Sequence, residues 1–150
     1  MIILKGIIIK TNMNELEEKF IELCIELCEG KLYELKEFYN EHPDIDVSFE
    51  DEYTFRLACE DGNLDVAKWL LEIKPDIDIS ANDEKSFRNV CNNGYLEFAK
   101  WLLEMKPDID ISCEYEEKPE MPFCGACAYG HLDIAKWLLE IKPEDRKSVV

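Results

Sequence analysis

The sequence is poor in histidine and in basic residues, and it has no long apolar run. It holds 2 histidines in 150 residues, and its 17 lysines and arginines face 34 aspartates and glutamates, for a net charge of −17. This charge argues against a nucleic-acid or anionic-membrane surface, and it favours solubility and a basic partner. No apolar run reaches the roughly 20 residues that a membrane span needs.

Motifs for catalysis and for phosphate or cation binding are also missing. The six glycines are isolated, which excludes a glycine-rich phosphate loop. Neither His42 nor His131 stands beside a serine or cysteine nucleophile motif, so the sequence shows no arrangement typical of nucleophilic catalysis. The acidic DIDIS segments at 76–80 and 108–112 lack the glycine turn of a cation loop. We therefore predict a protein that is not an enzyme and that has no cofactor and no metal.

The first ten residues, MIILKGIIIK, are apolar but are interrupted by Lys5, Gly6 and Lys10. No small-residue cleavage site follows, so a signal peptide is not expected. We interpret residues 1–13 as a leader that is a short strand or disordered. A dimerising edge strand is the alternative.

One sequence unit is repeated several times along the chain. It reads LDVAKWLLEIKPDIDIS from Leu64, LEFAKWLLEMKPDIDIS from Leu96 and LDIAKWLLEIKP from Leu132, and a weaker copy precedes them. Such self-similarity indicates a solenoid, in which each unit buries its apolar face by stacking on its neighbours. The predicted organisation is a leader at 1–13, a capping repeat at 14–48, repeats at 49–80, 81–112 and 113–143, and a polar tail at 144–150.

Each unit is expected to contain two short helices and an extended segment. The first helices run over 55–61 and 87–93 and begin near Met121 in the last copy. A glycine ends each of them, because a left-handed cap residue costs least there. The second helices run over 64–73, 96–105 and 132–141 and stop at Lys-Pro. The DIDIS alternation predicts an extended segment with one face buried.

The first copy differs from the others along one stripe of its second helix. In the next copy this stripe is apolar and consists of Val66, Trp69 and Ile73. The first copy has three glutamates at these positions: Glu34, Glu37 and Glu41. A terminal repeat needs a polar outer face, so the stripe should face the preceding neighbour and the first unit should be an N-terminal cap. The last copy keeps both of its stripes apolar, so its end is expected to be only partly covered, to be a docking site, or to be a place where the chain has been cut.

The seven cysteines do not form a disulfide framework in this interpretation. Cys59, Cys91 and Cys127 each precede a repeat glycine by three residues. Equivalent positions lie about 8–10 Å apart in a stack of helices, whereas Cα atoms more than about 7 Å apart cannot be bridged. We expect these cysteines to be small core residues in a reducing compartment.

A metal- or thiol-dependent site at Cys124 and Cys127 is the alternative. His131 follows four residues after Cys127, and Cys113 would add another thiolate. Structural zinc needs four ligands, usually from two such pairs. Since Cys127 already has a core role in the repeat, we predict that no metal binds.

The unit resembles the ankyrin repeat, most closely in GHLDIAKWLLE at residues 130–140. The alanine, glycine and leucines of that family fall on Ala58, Gly62, Leu64, Leu70 and Leu71. The tryptophan and the Lys-Pro-Asp-Ile-Asp ending resemble ankyrin arrays of large DNA viruses. The resemblance implies an all-α ankyrin-repeat solenoid of helix-turn-helix units joined by extended finger loops. It also implies a non-catalytic protein that mediates protein–protein interaction through the finger loops and the concave inner-helix face.

Differences between the copies indicate where a partner would bind. Identical positions satisfy stacking, and the variable ones lie in the fingers and on the exposed side of the first helices. The finger at 113–122 is four residues longer than the fingers at 49–54 and 81–86. It is interpreted as a binding loop or as a tolerated surface insertion. The predicted partner-binding residues are Tyr53, Arg56, Arg88, Asn92, Tyr115, Met121 and Tyr129.

The partner is predicted to be a protein, with neither nucleic acid nor membrane involved. The chain is expected to be a monomer, with association through the uncapped C-terminal repeat as the alternative. A structural role as a fragment of a longer array is a further alternative function. The predicted location is the cytoplasm, which would be the host cell cytoplasm for a viral protein.

Overall fold

A computed structural model of the protein describes residues 2–4, 7–9, 14–25, 32–109, 111 and 122–141. Over these residues, two strands precede eight helices. The strands are β1 (Ile2–Leu4) and β2 (Ile7–Ile9). The helices are α1 (Glu15–Ile25), α2 (Leu32–Glu41), α3 (Phe49–Asp61), α4 (Leu64–Ile73), α5 (Ala81–Asn92), α6 (Leu96–Met105), α7 (Pro122–Ala128) and α8 (Leu132–Ile141). None of the described helices combines the length and the apolar character needed to cross a membrane.

The leader contains two short antiparallel strands, with Ile2 opposite Ile9 and Leu4 opposite Ile7. The structure therefore differs from the prediction of one short strand or a disordered leader, because the two apolar triplets pair with each other. Isoleucine favours strands since its branched side chain fits a pleated surface.

The second helices α4, α6 and α8 begin and end where the sequence predicts. Lys74 follows α4 with φ −139° and ψ 83°, and Lys106 follows α6 with φ −136° and ψ 86°. Both residues precede a proline, which excludes the α region by steric clash. The Lys-Pro dipeptide is thus the stop signal that the sequence indicated.

The first helices α3 and α5 begin six residues before their predicted starts. The Glu52 N–H donates to the Ser48 carbonyl at 3.2 Å, and the Glu84 N–H donates to the Ser80 carbonyl at 2.9 Å. The expected extended fingers at 49–54 and 81–86 are therefore irregular first turns of helices. Four residues in them have left-handed φ angles, namely Glu50 (52°), Glu52 (62°), Asn82 (57°) and Glu84 (60°). Each costs roughly 1–2 kcal/mol in a residue that has a Cβ.

The units stack through their first helices. Helix α3 packs on α1 and on α5, and α5 packs on α7, while each second helix packs on the first helix of its own unit. Phe55 and Phe87 occupy equivalent positions in α3 and α5 and are fully buried. The described residues thus form a first unit (α1, α2), a second (α3, α4), a third (α5, α6) and a fourth (α7, α8).

Trp69 of α4 provides the aromatic contact between the second unit and the first. Its ring centroid lies 5.6 Å from that of Tyr39 in an edge-on arrangement and 6.3 Å from that of Phe20. The Lys36 Nζ lies 6.0 Å from the same indole centroid. The stripe that contains Trp69 therefore faces the preceding unit, which confirms that prediction.

The matching stripe of the first unit lies on the surface. Glu34, Glu37 and Glu41 are all exposed, as expected for carboxylates that no helix pair among the described residues covers. The interpretation of residues 14–48 as a cap fits this exposure and stays a prediction.

The segments between units alternate as the DIDIS pattern predicts. Ile77 and Ile79 are 6% and 7% exposed, whereas Asp76 and Asp78 are on the surface. The buried isoleucines join the same core as the helices. This alternation is confirmed.

A glycine in each inner unit lies under an aromatic ring of the next unit. A Cβ placed on Gly62, which has φ +75°, would lie 2.6–2.8 Å from three ring atoms of Tyr95. A Cβ on Gly94, which has φ +85°, would lie 2.6 Å from two ring atoms of His131. Glycine is therefore required for two reasons: the backbone has a left-handed φ angle, and the ring lies too close to leave room for a Cβ. Gly130 of the fourth unit has φ +80°, but no described atom lies within 4 Å of a Cβ there.

Candidate functional site

Tyr53 and Arg56 lie three residues apart on α3, so they share one face of that helix. The Arg56 guanidinium carbon is 5.5 Å from the Tyr53 ring centroid, within the range of a cation–π contact. The Arg56 Nη2 also donates a hydrogen bond of 2.9 Å to the Glu50 carbonyl. Burial raises the pKa of the Tyr53 phenol. Both side chains are half-buried, and the arginine is held in one orientation.

Arg88 occupies in α5 the position that Arg56 occupies in α3, and it is also half-buried. Because α3 packs directly on α5, the two guanidinium groups lie on adjacent units, whose axes are about 8–10 Å apart. The sequence correctly places these arginines on neighbouring first helices. Both are basic residues in a chain whose net charge is −17.

Asn92 does not point outward as predicted. Its Oδ1 is buried, and no described donor reaches it. A Cβ on Gly125 of α7 would overlap this oxygen, so the amide lies against the fourth unit. The prediction failed because the small residue at 125 lets α7 approach the amide closely. Asn92 thus belongs to the interface between units.

Tyr129 follows α7 and has 69% of its surface exposed. It is therefore accessible, as the sequence predicts. Tyr115 and Met121, with most of the long finger at 113–122, lie outside the described residues. The prediction for that finger stays a prediction.

The segments that join the units, before α3 and before α5, contain a repeated carboxylate turn. Asp46 Oδ1 accepts hydrogen bonds from the Ser48 N–H at 3.0 Å and from the Ser48 hydroxyl at 2.6 Å. Asp78 and Ser80 repeat this geometry one unit later, at 2.9 Å and 2.6 Å. The serine hydrogen bond lowers the pKa of both aspartates. These acids stay charged and fixed in direction at the tips of the stack.

Glu52, in the first turn of α3, is hydrogen-bonded to the segment that joins the second and third units, a role that sequence reasoning missed. Its Oε1 accepts a hydrogen bond of 3.3 Å from the Asp78 N–H, while its Oε2 is buried with no described partner. Partial burial raises the pKa of Glu52, while the hydrogen bond from the Asp78 N–H and the charge of Lys74 act in the opposite direction. Glu84 occupies the equivalent position one unit later, and this repetition is the sequence signal that could have marked the position.

Replacing Glu52 with glutamine is expected to stabilise the fold near pH 7 and to have no such benefit near pH 4. A folded-state pKa raised above the ordinary value means that stability falls as pH rises through the interval between the two values. The amide keeps an acceptor for the Asp78 N–H but carries no charge. Since the group is partly exposed, solvent screening keeps the gain below about 1 kcal/mol.

Urea unfolding of Glu52→Gln at pH 7 and at pH 4 tests this expectation. Glu60→Gln, which removes the same charge from an exposed position of α3, corrects for the change in net charge. A gain for Glu52→Gln that is equal at both pH values would contradict a buried carboxylate at this position.

A groove of about 350 Å³ opens between the second and third units. Leu71 and Met105 form part of its apolar wall, and the Lys106 ammonium pairs with Asp108 at 3.0 Å on its rim. Met105 is 51% exposed. Since Pro75 and Pro107 also line the groove, the repeated Lys-Pro ending shapes this surface as well as stopping the helices.

The cysteines separate into buried and accessible groups. Cys59 and Cys91 are fully buried, and burial raises the pKa of both thiols, to about 12 for Cys91. Cys127 is exposed and Cys124 is half-buried, so the predicted core role of Cys127 is wrong. Its equivalents are buried because a following unit covers them, and no described residue does so for Cys127.

The structure gives no support to the alternative metal site. Among the described residues, no three histidine, cysteine, aspartate or glutamate side chains cluster in a way that would hold a metal ion. Cys113 lies outside those residues.

Helix pairs that stack on one another through their first helices define a repeat solenoid. The family model described as ankyrin repeats (3 copies) matches residues 55–148. The chain therefore belongs to the ankyrin repeat family, and its fold is the predicted all-α solenoid. No curated protein matches the sequence. Ankyrin repeats are generally protein–protein interaction modules and are typically not enzymes.

Proposed function

We propose that this protein binds a protein partner through the exposed side of its first helices, chiefly Tyr53, Arg56, Arg88 and Tyr129. The single observation that carries the proposal is the fixed arrangement of Arg56 between the Tyr53 ring and the Glu50 carbonyl. A preorganised side chain loses little entropy on binding. Arginine and tyrosine are also the residues that dominate the energy of protein interfaces.

The contrast between buried and accessible positions of the first helices supports this choice of surface. Phe55 and Phe87, which occupy equivalent positions in the two inner units, are buried in the stack. The arginines and tyrosines are accessible at least in part. The partner's surface is proposed to be basic overall, because the net charge is −17, with acidic groups that meet the two arginines.

The long finger at 113–122 is proposed as a second contact, through Tyr115 and Met121. It is the only finger whose length departs from the repeat, and a longer, partly apolar tip is typical of binding loops. Shortening it to six residues tests this contact separately from α3 and α5.

Affinity capture from a cell lysate is the experiment that tests the proposal. The bait is the native chain, and the variant is Tyr53→Ala with Arg56→Ala. The matched control is Tyr33→Ala with Lys68→Ala, which removes an exposed tyrosine and an exposed base from second helices. We expect the control to retain the partner and the variant to lose at least about 30-fold in affinity, since one such residue often contributes 2 kcal/mol or more.

Thermal melting of each variant separates lost binding from lost folding. A partner that the native chain and the Tyr53/Arg56 variant hold equally would contradict the proposed surface. A partner lost by the control as well would place the contact on the second helices.

We further propose that the chain is a cytoplasmic monomer. Three of the described cysteines are buried free thiols, which is typical of proteins in a reducing compartment. The exposed glutamates of the first unit oppose end-to-end stacking of identical chains.

A further inference from the structure

The groove between the second and third units opens where one side chain of the repeat becomes smaller. In the first unit, Tyr39 packs edge-on against Trp69 of the second unit, with 5.6 Å between the ring centroids. The equivalent residue of the second unit is Leu71, which lines the groove and has no aromatic ring to fill the space. Trp101, the counterpart of Trp69, is half-buried, whereas Trp69 is 7% exposed. The junction between the second and third units is therefore less completely filled than the one before it.

The walls of the groove are apolar and within reach of solvent. Met105 is 51% exposed, whereas its counterpart Ile73 in the second unit is half-buried. Leu71 is also half-buried, and Pro75 and Pro107 are exposed. Apolar side chains gathered around a concave site favour an apolar ligand group. The volume of about 350 Å³ suits a short segment of a partner rather than a whole domain.

The rim of the groove carries more acidic than basic side chains. The charged residues among its described lining are Asp78, Asp108 and Lys106. The Lys106 ammonium contacts both carboxylate oxygens of Asp108, at 3.0 and 3.2 Å, so these two charges largely offset each other. Two hydrogen bonds from Ser80 hold the exposed Asp78 carboxylate in place, and Glu52 adds a carboxylate beside it by accepting the Asp78 N–H. This edge therefore attracts a positive group on a ligand.

Two occupants that this chain itself could supply carry the wrong charge. The finger at 113–122 contains four glutamates and one lysine, and a second copy of the chain has the same net charge of −17. Like charges brought together across an interface are unfavourable. A partner segment with positive charge beside an apolar side chain complements both the walls and the rim.

We propose that this groove binds a short basic and apolar segment of a partner protein. A leucine or methionine of the segment enters between Leu71 and Met105, and an adjacent arginine or lysine pairs with Asp78. The apolar side chain supplies most of the affinity, since burial of apolar surface is the dominant favourable term in association. The basic residue supplies orientation and selectivity. Tyr53 and Arg56 do not line the groove, so it adds a second surface to the one proposed above.

Synthetic peptides added to the full chain test the proposal. The probe is Gly-Arg-Leu-Leu-Arg-Gly, and two control peptides replace either both leucines by serines or both arginines by glutamates. Calorimetric titration measures the affinities, and amide chemical shifts of the isotope-labelled chain locate the site. We expect the probe to shift the amides of 71–79 and 105–108. Both control peptides are expected to bind at least about tenfold more weakly, the serine peptide because it has lost the apolar burial.

Variants of the chain separate the apolar contribution from the charged one. Leu71→Tyr is expected to fill the groove, as Tyr39 fills the preceding junction, and to weaken the probe at least about tenfold. Asp78→Asn is expected to weaken the probe about two- to fivefold, since an exposed charge pair contributes little. The matched control is Asp46→Asn, which removes the same charge from the same turn one unit earlier, and we expect it to leave the affinity unchanged.

The proposal is overturned by a probe that does not bind, by a serine or glutamate peptide that binds as well as the probe, or by shifts confined to other parts of the chain. If Leu71→Tyr does not fold, equal affinities of Asp78→Asn and Asp46→Asn for the probe overturn it. Without peptide, shifts at 71–79 on shortening the finger at 113–122 would assign the groove to that finger. Shifts there that depend on the chain's concentration would assign it to a second copy. Either assignment would replace the proposed occupant.

Discussion

Replacing Trp69 with alanine is expected to lower the free energy of unfolding by about 3–5 kcal/mol, the usual cost of truncating a buried tryptophan. The indole is 7% exposed, and it contacts the first unit through Phe20 and Tyr39. Its loss leaves a cavity between two units that are each too small to bury their apolar faces alone. Urea unfolding followed by circular dichroism measures the change.

Trp137→Ala is the matched control, because the same residue type occupies the same repeat position. Trp137 is half-buried, so its truncation is expected to cost clearly less than that of Trp69. Equal losses at the two positions would show that the first unit does not pack on Trp69. They would also undermine the interpretation of the first unit as a cap.

Gly62→Ala is expected to be the second strongly destabilising change, and Gly130→Ala a much milder one. Both glycines have left-handed φ angles, of +75° and +80°, so both variants carry a backbone strain of about 1 kcal/mol. Only at Gly62 would the new Cβ overlap a ring, that of Tyr95 in the next unit. Overpacking of this kind adds about 1–3 kcal/mol.

The double variant Gly62→Ala with Tyr95→Ala separates the two causes. Removing the ring removes the overlap, so the loss in the double variant is expected to be smaller than the sum of the two single losses. Strict additivity would mean that the ring does not rest on the glycine, and the stacking described for Gly62 and Gly94 would then be incorrect.

The second helices are predictable because the signals that end them are local. A proline after Lys74 excludes the α region there, whatever the surroundings, and the helix bounds agree with the sequence as a result. The starts of α3 and α5 are not predictable in this way. They depend on left-handed residues such as Glu50 and Glu52, and glutamate gives no sequence signal for such a conformation.

The candidate site shows the same division between local and non-local causes. The helical spacing of Tyr53 and Arg56 predicts that they share a face, and the structure places them in contact. The prediction that Asn92 points outward was wrong because its environment is set by Gly125, more than thirty residues away in the sequence. Cys127 was misplaced because burial in a repeat depends on the unit that follows, not on the residue itself.

Amide hydrogen exchange on the full-length chain tests the central claim most directly, namely that the helix pairs form a register-locked stack. Exchange reports local opening free energies. We expect the slowest exchange in α3 to α6, whose units have described neighbours on both sides, and faster exchange in α7 and α8. Fast exchange throughout α3 to α6, or the strongest protection in α8, would contradict it.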